Sequence, residues 1–407
     1  MNNIVLNQGQ QLIYDAAINW YYNSSDTLFQ IASEAGCGKS VLVGEIVKGL
    51  GLRNDEILPM AYTGQAAIVM RLHGLEEAKT CHSGLFMPIQ VHATDGNGKY
   101  LMDTRFNTYI YKWKFVPKDF SNSNIKLIIL DEAWMVPRKF RKFIDDTGIK
   151  VIATGDPGQL PPIADDPGYF VDGNIYYLTE IMRQEQDSAL VYLAHRARYG
   201  YPIDYGLYGN DVFVIFDDEL DDELLMKANV VLCGKNDTRD IVNRRVREDI
   251  LHFYNDTPNF GERVICRKNN WGVIVDDISL VNGLTGNVIS QPDIGKYDGK
   301  TIKIDFLPDL TTEPFIDIPI NRDYINAKDK KQREYLKANP YLQGELFEYA
   351  YASTVHLAQG SEYNCGIYFE EYMGQPVWYQ NALNYTAITR FRNKLIYVKH
   401  KPKFWSF

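Results

Sequence analysis

The sequence has few cysteines, no long apolar run and no excess of positive charge. Its five cysteines lie far apart, without a Cys-x-x-Cys pair, at positions 37, 81, 233, 266 and 365. This spacing argues against structural zinc and against a disulfide framework, and it suits a reducing cytoplasm. No apolar run approaches the roughly 20 residues that a membrane helix needs, and the N-terminus lacks the pattern of a signal peptide. We therefore expect a cytoplasmic protein with no membrane partner.

The charge balance says little about partners. The net charge of −9 over 407 residues gives no support to a nucleic-acid partner. It does not exclude one, because a binding channel needs positive charge only locally. The length allows two or more domains with substantial cores, and the hydrophobic content of 45% is ordinary for a globular protein.

The strongest local pattern is a phosphate-binding loop at residues 33–40. A short β-prone run precedes it and an apolar pattern at helical spacing follows it. Ser33 stands where the usual pattern has Gly; the alternative, a chance Gly-Lys-Ser in a surface turn, fits neither flank. Such a loop closes backbone N–H groups around phosphates, with Lys39 on the β- and γ-phosphates and Ser40 on Mg²⁺. We therefore predict a nucleoside triphosphate site formed by Gly36, Cys37, Gly38, Lys39 and Ser40.

Two further strands place polar residues near this loop. The buried-type strand at 125–130 ends in Asp131 and Glu132, and a strand at 150–154 leads to the segment 155–162. Behind a phosphate loop, Asp131 is expected to hold Mg²⁺ and Glu132 to take a proton from the attacking water. An acidic pair that merely ends a strand is the alternative. The alternation of strands and helices predicts an α/β fold with parallel sheets and ligands at the carboxyl ends of the strands.

The chain divides into two predicted α/β domains. A Pro-, Asp- and Gly-rich linker lies at 161–173, and strand and helix patterns resume beyond it. Two stretches are β-rich and turn-rich instead, and the turn at 94–98 in the first predicts a β-hairpin. The first predicted domain covers residues 1–172 and contains a β-hairpin insertion at 83–123. The second covers residues 173–407 and contains a β-rich insertion at 287–350.

Taken in order, the motifs of this chain resemble those of superfamily 1B helicases, the group of RecD and the phage helicase Dda. The Gln-Leu-Pro-Pro ending at residue 162 favours this group over the 1A helicases. The resemblance implies two RecA-like parallel-sheet domains with ATP between them, a hairpin insertion in the first and an SH3-like insertion in the second. The segments that carry the resemblance are 6–10, 33–40, 61–67, 80–82, 131–135, 155–162, 178–184, 354–362 and 385–390.

The resemblance also implies a role for individual residues. Gln10 would grip the adenine, Gln159 would couple the γ-phosphate to DNA, and the remaining motif residues would contact nucleotide or DNA. The implied arginine fingers are Arg183 and Arg390, the other nucleotide contacts are Gly360 and Glu362, and the DNA contacts are Thr63, His82, Thr354 and His356. Two positions depart from the family pattern: Trp134 replaces a Ser and Leu357 replaces a frequent Lys.

Each of these residues has a structural alternative. Packed histidines are the alternative for His82 and His356, and structural ion pairs for Arg183 and Arg390. Trp134 fits a core position as well as a stacking platform.

The predicted function is that of an ATP-dependent 5′→3′ single-stranded DNA translocase and helicase that uses ATP and Mg²⁺. Two other classes stay open: a nucleic-acid-dependent ATPase clamp or switch without unwinding, and an RNA-directed helicase. The absence of a Cys/His-rich zinc segment favours DNA over RNA. The expected setting is a bacterium or a phage-infected cell, with the chain acting as a monomer beside replication or recombination proteins.

Overall fold

The computed structural model describes residues 5–103, 107–163, 165–181, 188–276, 278–294, 299–339 and 341–401. Its α-helices are α1 (Gln8–Asn23), α2 (Lys39–Leu50), α3 (Gly64–Leu72), α4 (Cys81–Leu85), α5 (Arg138–Asp145), α6 (Ala189–Tyr199), α7 (Asp222–Lys227), α8 (Asn236–Arg244), α9 (Arg322–Ile325), α10 (Lys330–Lys337) and α11 (Val377–Ile388). Short 3₁₀ turns cover Asn54–Glu56, Ala133–Met135 and Asp217–Glu219, and a π-helical turn, Arg245–Ile250, extends α8.

The strands fall into two groups along the chain. The first group is β1 (Leu28–Ser33), β2 (Ile57–Ala61), β3 (Lys79–Thr80), β4 (Phe86–His92), β5 (Met102–Asp103), β6 (Thr108–Tyr109), β7 (Tyr111–Pro117), β8 (Leu127–Asp131), β9 (Lys150–Gly155) and β10 (Ile175–Leu178). The second group is β11 (Gly206–Tyr208), β12 (Val212–Phe216), β13 (Val230–Cys233), β14 (Arg263–Cys266), β15 (Asn270–Val275), β16 (Ile278–Leu280), β17 (Thr285–Val288), β18 (Asp293–Ile294), β19 (Thr301–Pro308), β20 (Phe315–Asn321), β21 (Phe347–Tyr349), β22 (Ala352–Thr354), β23 (Tyr363–Phe369) and β24 (Phe391–Lys399).

The chain forms two compact units. Unit 1 contains Met1–Lys79, Asn124–Tyr254 and Ala350–Phe407, and unit 2 contains Thr80–Ser123 and Asn255–Tyr349. Both predicted α/β domains therefore contribute to unit 1, and unit 2 collects the β-rich stretches. Within the described ranges, no helix combines the length and the apolar character that crossing a membrane requires.

The first sheet of unit 1 has the strand order β10-β1-β9-β8-β2-β3. The pairs β10–β1, β1–β9, β9–β8 and β8–β2 are all parallel. Strand β8 is the buried centre, with Leu127–Leu130 at most 1% exposed, so its apolar run packs on both faces as parallel strands require. The predicted parallel sheet is confirmed, and β1, β2, β8 and β9 end along the edge that carries the motifs.

The second sheet of unit 1 has the order β11-β12-β24-β23-β13-β22. Only β11 runs antiparallel to its neighbour; the other pairs are parallel. Helices α6 and α11 cover one face and form a core with Leu193, Leu383 and Tyr397, all 0% exposed. This is the sheet of the second α/β domain that the sequence predicted.

Unit 2 contains antiparallel β-structure together with the short helices α4, α9 and α10. Strands β4 and β7 pair antiparallel from Phe86↔Pro117 to His92↔Tyr111, within the stretch where the sequence predicted a hairpin. A separate sheet has the order β18-β19-β17-β14-β21, with β20 paired to β19, around Phe306, Phe315 and Phe347. This β-rich part begins with β14, ahead of the start at residue 287 that composition suggested, because β14 pairs with both β17 and β21.

Candidate functional site

The phosphate loop joins β1 to α2 with the backbone that its glycines allow. Gly36 and Gly38 have φ angles of 79° and 73°, the left-handed region that glycine enters without a Cβ penalty. Ser33 closes β1 and is buried, with its hydroxyl 3.5 Å from the Gly155 carbonyl. Ser33 therefore stands at a strand position that does not require glycine. Helix α2 begins at Lys39, so its N-terminus faces the loop.

Lys39 lies against the two predicted carboxylates at the end of β8. Its Nζ is 2.8 Å from Asp131 Oδ1 and 3.7 Å from Glu132 Oε1. Asp131 Oδ1 also accepts hydrogen bonds from the Thr154 hydroxyl at 2.7 Å and the Glu132 N–H at 2.9 Å. Burial opposes both charges, yet the ion pair outweighs it: the pKa of Asp131 is lowered and that of Lys39 is raised. Both groups are therefore charged at neutral pH.

Glu132 has a φ of 50°, unusual for a residue with a side chain. Such strain persists where the surrounding structure imposes it, and it clusters at functional sites. Here it turns the chain directly after β8 and brings the Glu132 carboxylate back towards Lys39.

The residues predicted to hold Mg²⁺ share one cavity. Lys39, Ser40, Asp131 and Thr154 all line a space of ≈ 600 Å³. Within the residues that the structure describes there is no group of three or more His, Cys, Asp or Glu side chains able to hold a metal. Mg²⁺ usually takes one or two protein ligands beside phosphates and water. A hydroxyl and a carboxylate on one cavity therefore fit this ion.

The segment after β9 reaches the second sheet. Gln159 Oε1 accepts a hydrogen bond from Arg390 Nη2 at 3.1 Å. Arg390 is 5% exposed and also donates to the carbonyls of Thr386 and Ser361, at 3.2 and 3.4 Å. The structure thus brings two predicted catalytic residues together, from different sheets. Arg183 lies outside the described residues, and its role stays a prediction.

The stacking role considered for Trp134 stays a prediction, and the Trp134 side chain also contacts the segment after β9. Its indole N–H donates to the Gln159 carbonyl at 2.9 Å, and its ring is half-buried. The Trp134 side chain therefore connects the turn after β8 to the segment containing Gln159, whose side chain accepts the hydrogen bond from Arg390. A Ser at this position would be too short to carry a donor as far from the backbone as the indole N–H.

Gln10 is fully buried. Its Oε1 accepts from the Asn7 N–H at 3.0 Å, its N–H donates to Asn7 Oδ1 at 2.7 Å, and its Nε2 donates to the Cys37 carbonyl at 3.2 Å. Gln10 therefore both caps α1 and supports the phosphate loop. Its contact with adenine stays a prediction.

Gly360 and Glu362 lie in different surroundings. Glu362 pairs with Arg392, and both line a cavity of ≈ 450 Å³ together with Gly36. Gly360 has a φ of 79°, and a Cβ there would lie 2.6 Å from the Thr63 hydroxyl. Gly360 thus marks a close approach between a residue predicted to bind nucleotide and one predicted to contact DNA.

The predicted DNA contacts fall in both units. In unit 1, Thr63 caps α3 by accepting from the Ala66 N–H at 3.2 Å, and Thr354 ends β22. His356 Nε2 is 2.8 Å from the Tyr379 hydroxyl, and burial lowers the pKa of His356. In unit 2, His82 lies among aromatic rings, and burial lowers its pKa as well.

Sequence reasoning missed Arg198, Glu34 and Tyr385. Arg198 Nη1 is 2.5 Å from Asp156 Oδ1, and Glu34 lies within the phosphate loop. The signal for Glu34 was available, since a carboxylate is unexpected in a loop that binds phosphates. No local signal marked Arg198, because it is one of two arginines in the last turn of α6, where basic residues are common.

Comparisons with known proteins agree with this architecture. Residues 16–165 match the family model described as an AAA domain. Pif1 helicase from Bacteroides with ADP-AlF3 and single-stranded DNA is 16% identical with a TM-score of 0.54, over 97% of this chain and 92% of that one. Pif1 from Candida albicans is 17% identical with a TM-score of 0.52, over 97% and 94%.

A curated relative matches only part of this chain. An uncharacterized protein of Acanthamoeba polyphaga mimivirus is 24% identical over 195 residues, which are 44% of this chain and 39% of that protein. This match therefore spans well under half of the relative. The structural likeness, which runs over nearly the whole chain, is the broader one, and it shows that the chain has the fold of these Pif1 helicase structures.

Proposed function

We propose that this protein is an ATP-dependent single-stranded DNA translocase and helicase that moves 5′→3′. The observation that carries the proposal is one continuous set of contacts within unit 1. Lys39, Asp131 and Glu132 stand at the phosphate loop, and Trp134 and Gln159 connect them to Arg390 of the second sheet. An ATPase whose second domain senses the phosphates needs a connection of this kind.

The chain's own residues suit the hydrolysis of ATP. The N–H groups of the loop and the start of α2 would hold the phosphates, and Lys39 would exchange its contact with Asp131 for a phosphate oxygen. Glu132, already held close to Lys39, would accept a proton from the attacking water. Ser40 and Asp131 would hold Mg²⁺, which neutralises charge on the phosphates when it is bound.

Arg390 would act on the developing negative charge of the transition state. Its guanidinium is buried and hydrogen-bonded to Gln159, so it needs little reorganisation beyond exchanging that partner. Arg183 is proposed as the second finger on the resemblance alone. Such arginines contribute about 10³–10⁵ in rate in related phosphoryl-transfer enzymes.

Single-stranded DNA is the proposed track. The Bacteroides Pif1 structure of the same fold is bound to single-stranded DNA. In this chain Thr63 and Gly360 come from the two sheets and approach each other closely. A change in the distance between the sheets would alter both contacts together, which is the movement that stepping along a strand requires. That the protein acts as a monomer, and that it has partners among replication or recombination proteins, are still predictions.

The test measures ATP hydrolysis alone, with single-stranded DNA and with single-stranded RNA, beside Lys39→Ala as the inactive control. We expect stimulation by DNA and unwinding of duplexes that carry a 5′ tail. Stimulation by RNA only would favour the RNA-directed alternative. Stimulated hydrolysis without strand separation would favour the clamp, and unwinding from 3′ tails alone would contradict the proposed direction.

A further inference from the structure

A buried polar cluster connects the phosphate loop to α6 of the second sheet. Arg198 Nη1 lies 2.5 Å from Asp156 Oδ1, and its Nε lies 3.5 Å from Glu34 Oε1. The guanidinium carbon is 5.0 Å from the centre of the Tyr385 ring. The Tyr385 hydroxyl donates to Asp156 Oδ2 and accepts from the Ala35 N–H at 2.9 Å. We call Glu34, Asp156, Arg198 and Tyr385 the cross-sheet cluster.

The cluster is shielded from water. The Asp156 side chain is 6% exposed and that of Arg198 is 17% exposed. A carboxylate so far removed from water needs partners for its oxygens. Asp156 has them, because Oδ1 accepts from the Gly158 N–H at 2.9 Å as well as from Arg198. The charged groups of the cluster are therefore mostly buried and hydrogen-bonded. They differ in this from an exposed ion pair, which contributes little to the stability of a protein.

One face of α6 holds the carboxylate of the phosphate loop. The Tyr199 hydroxyl donates to Glu34 Oε1 at 2.8 Å, and His195 Nδ1 lies 3.3 Å from Glu34 Oε2. Residues 195, 198 and 199 share a helix face because they are three and four positions apart. Since α6 packs in the core of the second sheet, these contacts fix the phosphate loop relative to the second domain.

The cluster also controls the segment that carries Gln159. A Cβ at Gly158 would lie 1.8 Å from Arg198 Nη1, so the guanidinium packs directly on the backbone between Asp156 and Gln159. Gln159 in turn accepts the hydrogen bond from Arg390. A shift of Arg198 would therefore displace the partner of the proposed arginine finger.

We propose that Arg198 is a positioning residue for ATP hydrolysis, which holds the phosphate loop and the Asp156–Gln159 segment in register with the second domain. The proposal rests on the proposed function, because it assumes that this site hydrolyses ATP. Arg198 acts through Asp156, Glu34 and Tyr385, and we assign it no contact with the phosphates.

The test compares Arg198→Gln with Arg196→Gln. Arg196 lies on the same helix and makes two hydrogen bonds, to the Pro202 carbonyl at 2.7 Å and the Tyr192 hydroxyl at 3.1 Å, outside the cluster. We expect Arg198→Gln to lower the DNA-stimulated kcat between about 10- and 10²-fold, the scale of a mispositioned catalytic group. Its Kd for a fluorescent ADP should change less than about threefold, since a kcat effect alone marks positioning. Arg196→Gln should resemble the wild type.

Two further variants keep the proposal open to refutation. Arg198→Lys keeps the charge but not the planar fork, so partial recovery of kcat is expected. The double variant Glu34→Gln/Arg198→Gln should lose less than the product of the two single losses, because the residues act on each other. Multiplicative losses, equal losses in the Arg196 and Arg198 variants, or a loss of ADP affinity as large as that of kcat would overturn the proposal.

The same measurements separate this proposal from the proposed function. Wild-type protein that hydrolyses ATP without any response to DNA would contradict the helicase assignment. The arginine variants would then be compared by their basal turnover, and a lower basal kcat for Arg198→Gln than for Arg196→Gln would still support the positioning role.

Discussion

Replacing Trp134 by Phe removes one hydrogen bond and leaves most of the ring in place. The bond lost is the one from the indole N–H to the Gln159 carbonyl, 2.9 Å long. Gln159 is only 8% exposed, so its carbonyl would have limited access to water in compensation. A buried polar group left without its partner costs about 1–3 kcal/mol.

This cost sets the size of the expected effect. If all of it fell on the transition state, the rate would drop by roughly 5- to 150-fold, since each 1.36 kcal/mol is about tenfold. Part of it will fall on the ground state, because the bond exists there too. We therefore expect a fall of about tenfold in the DNA-stimulated kcat. The KM for ATP should change little, because the bond that is lost joins Trp134 to Gln159, whereas Lys39 pairs with Asp131 and Glu132.

The assay is steady-state ATP hydrolysis at saturating single-stranded DNA, with Trp378→Phe as the matched control. Trp378 is 60% exposed on α11 and its loss should leave kcat unchanged. A Trp134→Phe enzyme with wild-type kcat would refute the connecting role of the indole. A rise in KM without a fall in kcat would place Trp134 in nucleotide binding instead.

Three other experiments test separate features of the structure. Glu132→Gln should bind ATP yet lose nearly all turnover, as measured by hydrolysis and by fluorescent-nucleotide binding; near-normal turnover would show that Glu132 is not the base. Gly360→Ala should weaken DNA binding in a titration and lower stability by about 1–3 kcal/mol, because φ is positive and Thr63 lies within 2.6 Å of the new Cβ. Gly374→Ala is the matched control, because Gly374 also has a positive φ but has no atom within 4 Å of the new Cβ. Equal effects of the two substitutions would show that backbone strain alone causes the loss. Iodoacetamide on the native protein should label Cys365 first, since burial raises the pKa of the other four thiols; early labelling of Cys37 in mass spectra would contradict this.

Local patterns in the sequence predicted most of the fold. The apolar runs that end in Ser33, Asp131 and Gly155 are strands of one parallel sheet, because a buried parallel strand must be apolar on both faces. The turn predicted at 94–98 is present, with the Gly98 N–H donating to the Asp95 carbonyl at 3.1 Å, and it lies within the connection from β4 to β7.

What the sequence could not predict depends on contacts between distant residues. Arg198 meets Asp156 42 positions away, and Tyr385 meets Asp156 229 positions away. Contacts between residues so far apart in the sequence leave no local pattern from which they could be predicted. The bounds of the second insertion stay a prediction. Strand β14, which precedes residue 287, is short and is recognisable as a sheet strand only through its partners β17 and β21.

The segment from Asp156 to Leu160 joins the two sheets, as the proposed ATPase function requires. Leu160 comes from the first domain, yet it is fully buried in the core of the second, among residues of α6 and α11. Its N–H donates to the Thr386 hydroxyl, and its carbonyl accepts from Gln359 Nε2, both at 2.9 Å. Each such bond contributes only about 1 kcal/mol, so a movement between the sheets can exchange them one at a time. A change at the phosphates would then reach the second domain through this segment, because it carries Gln159 and is anchored on both sides.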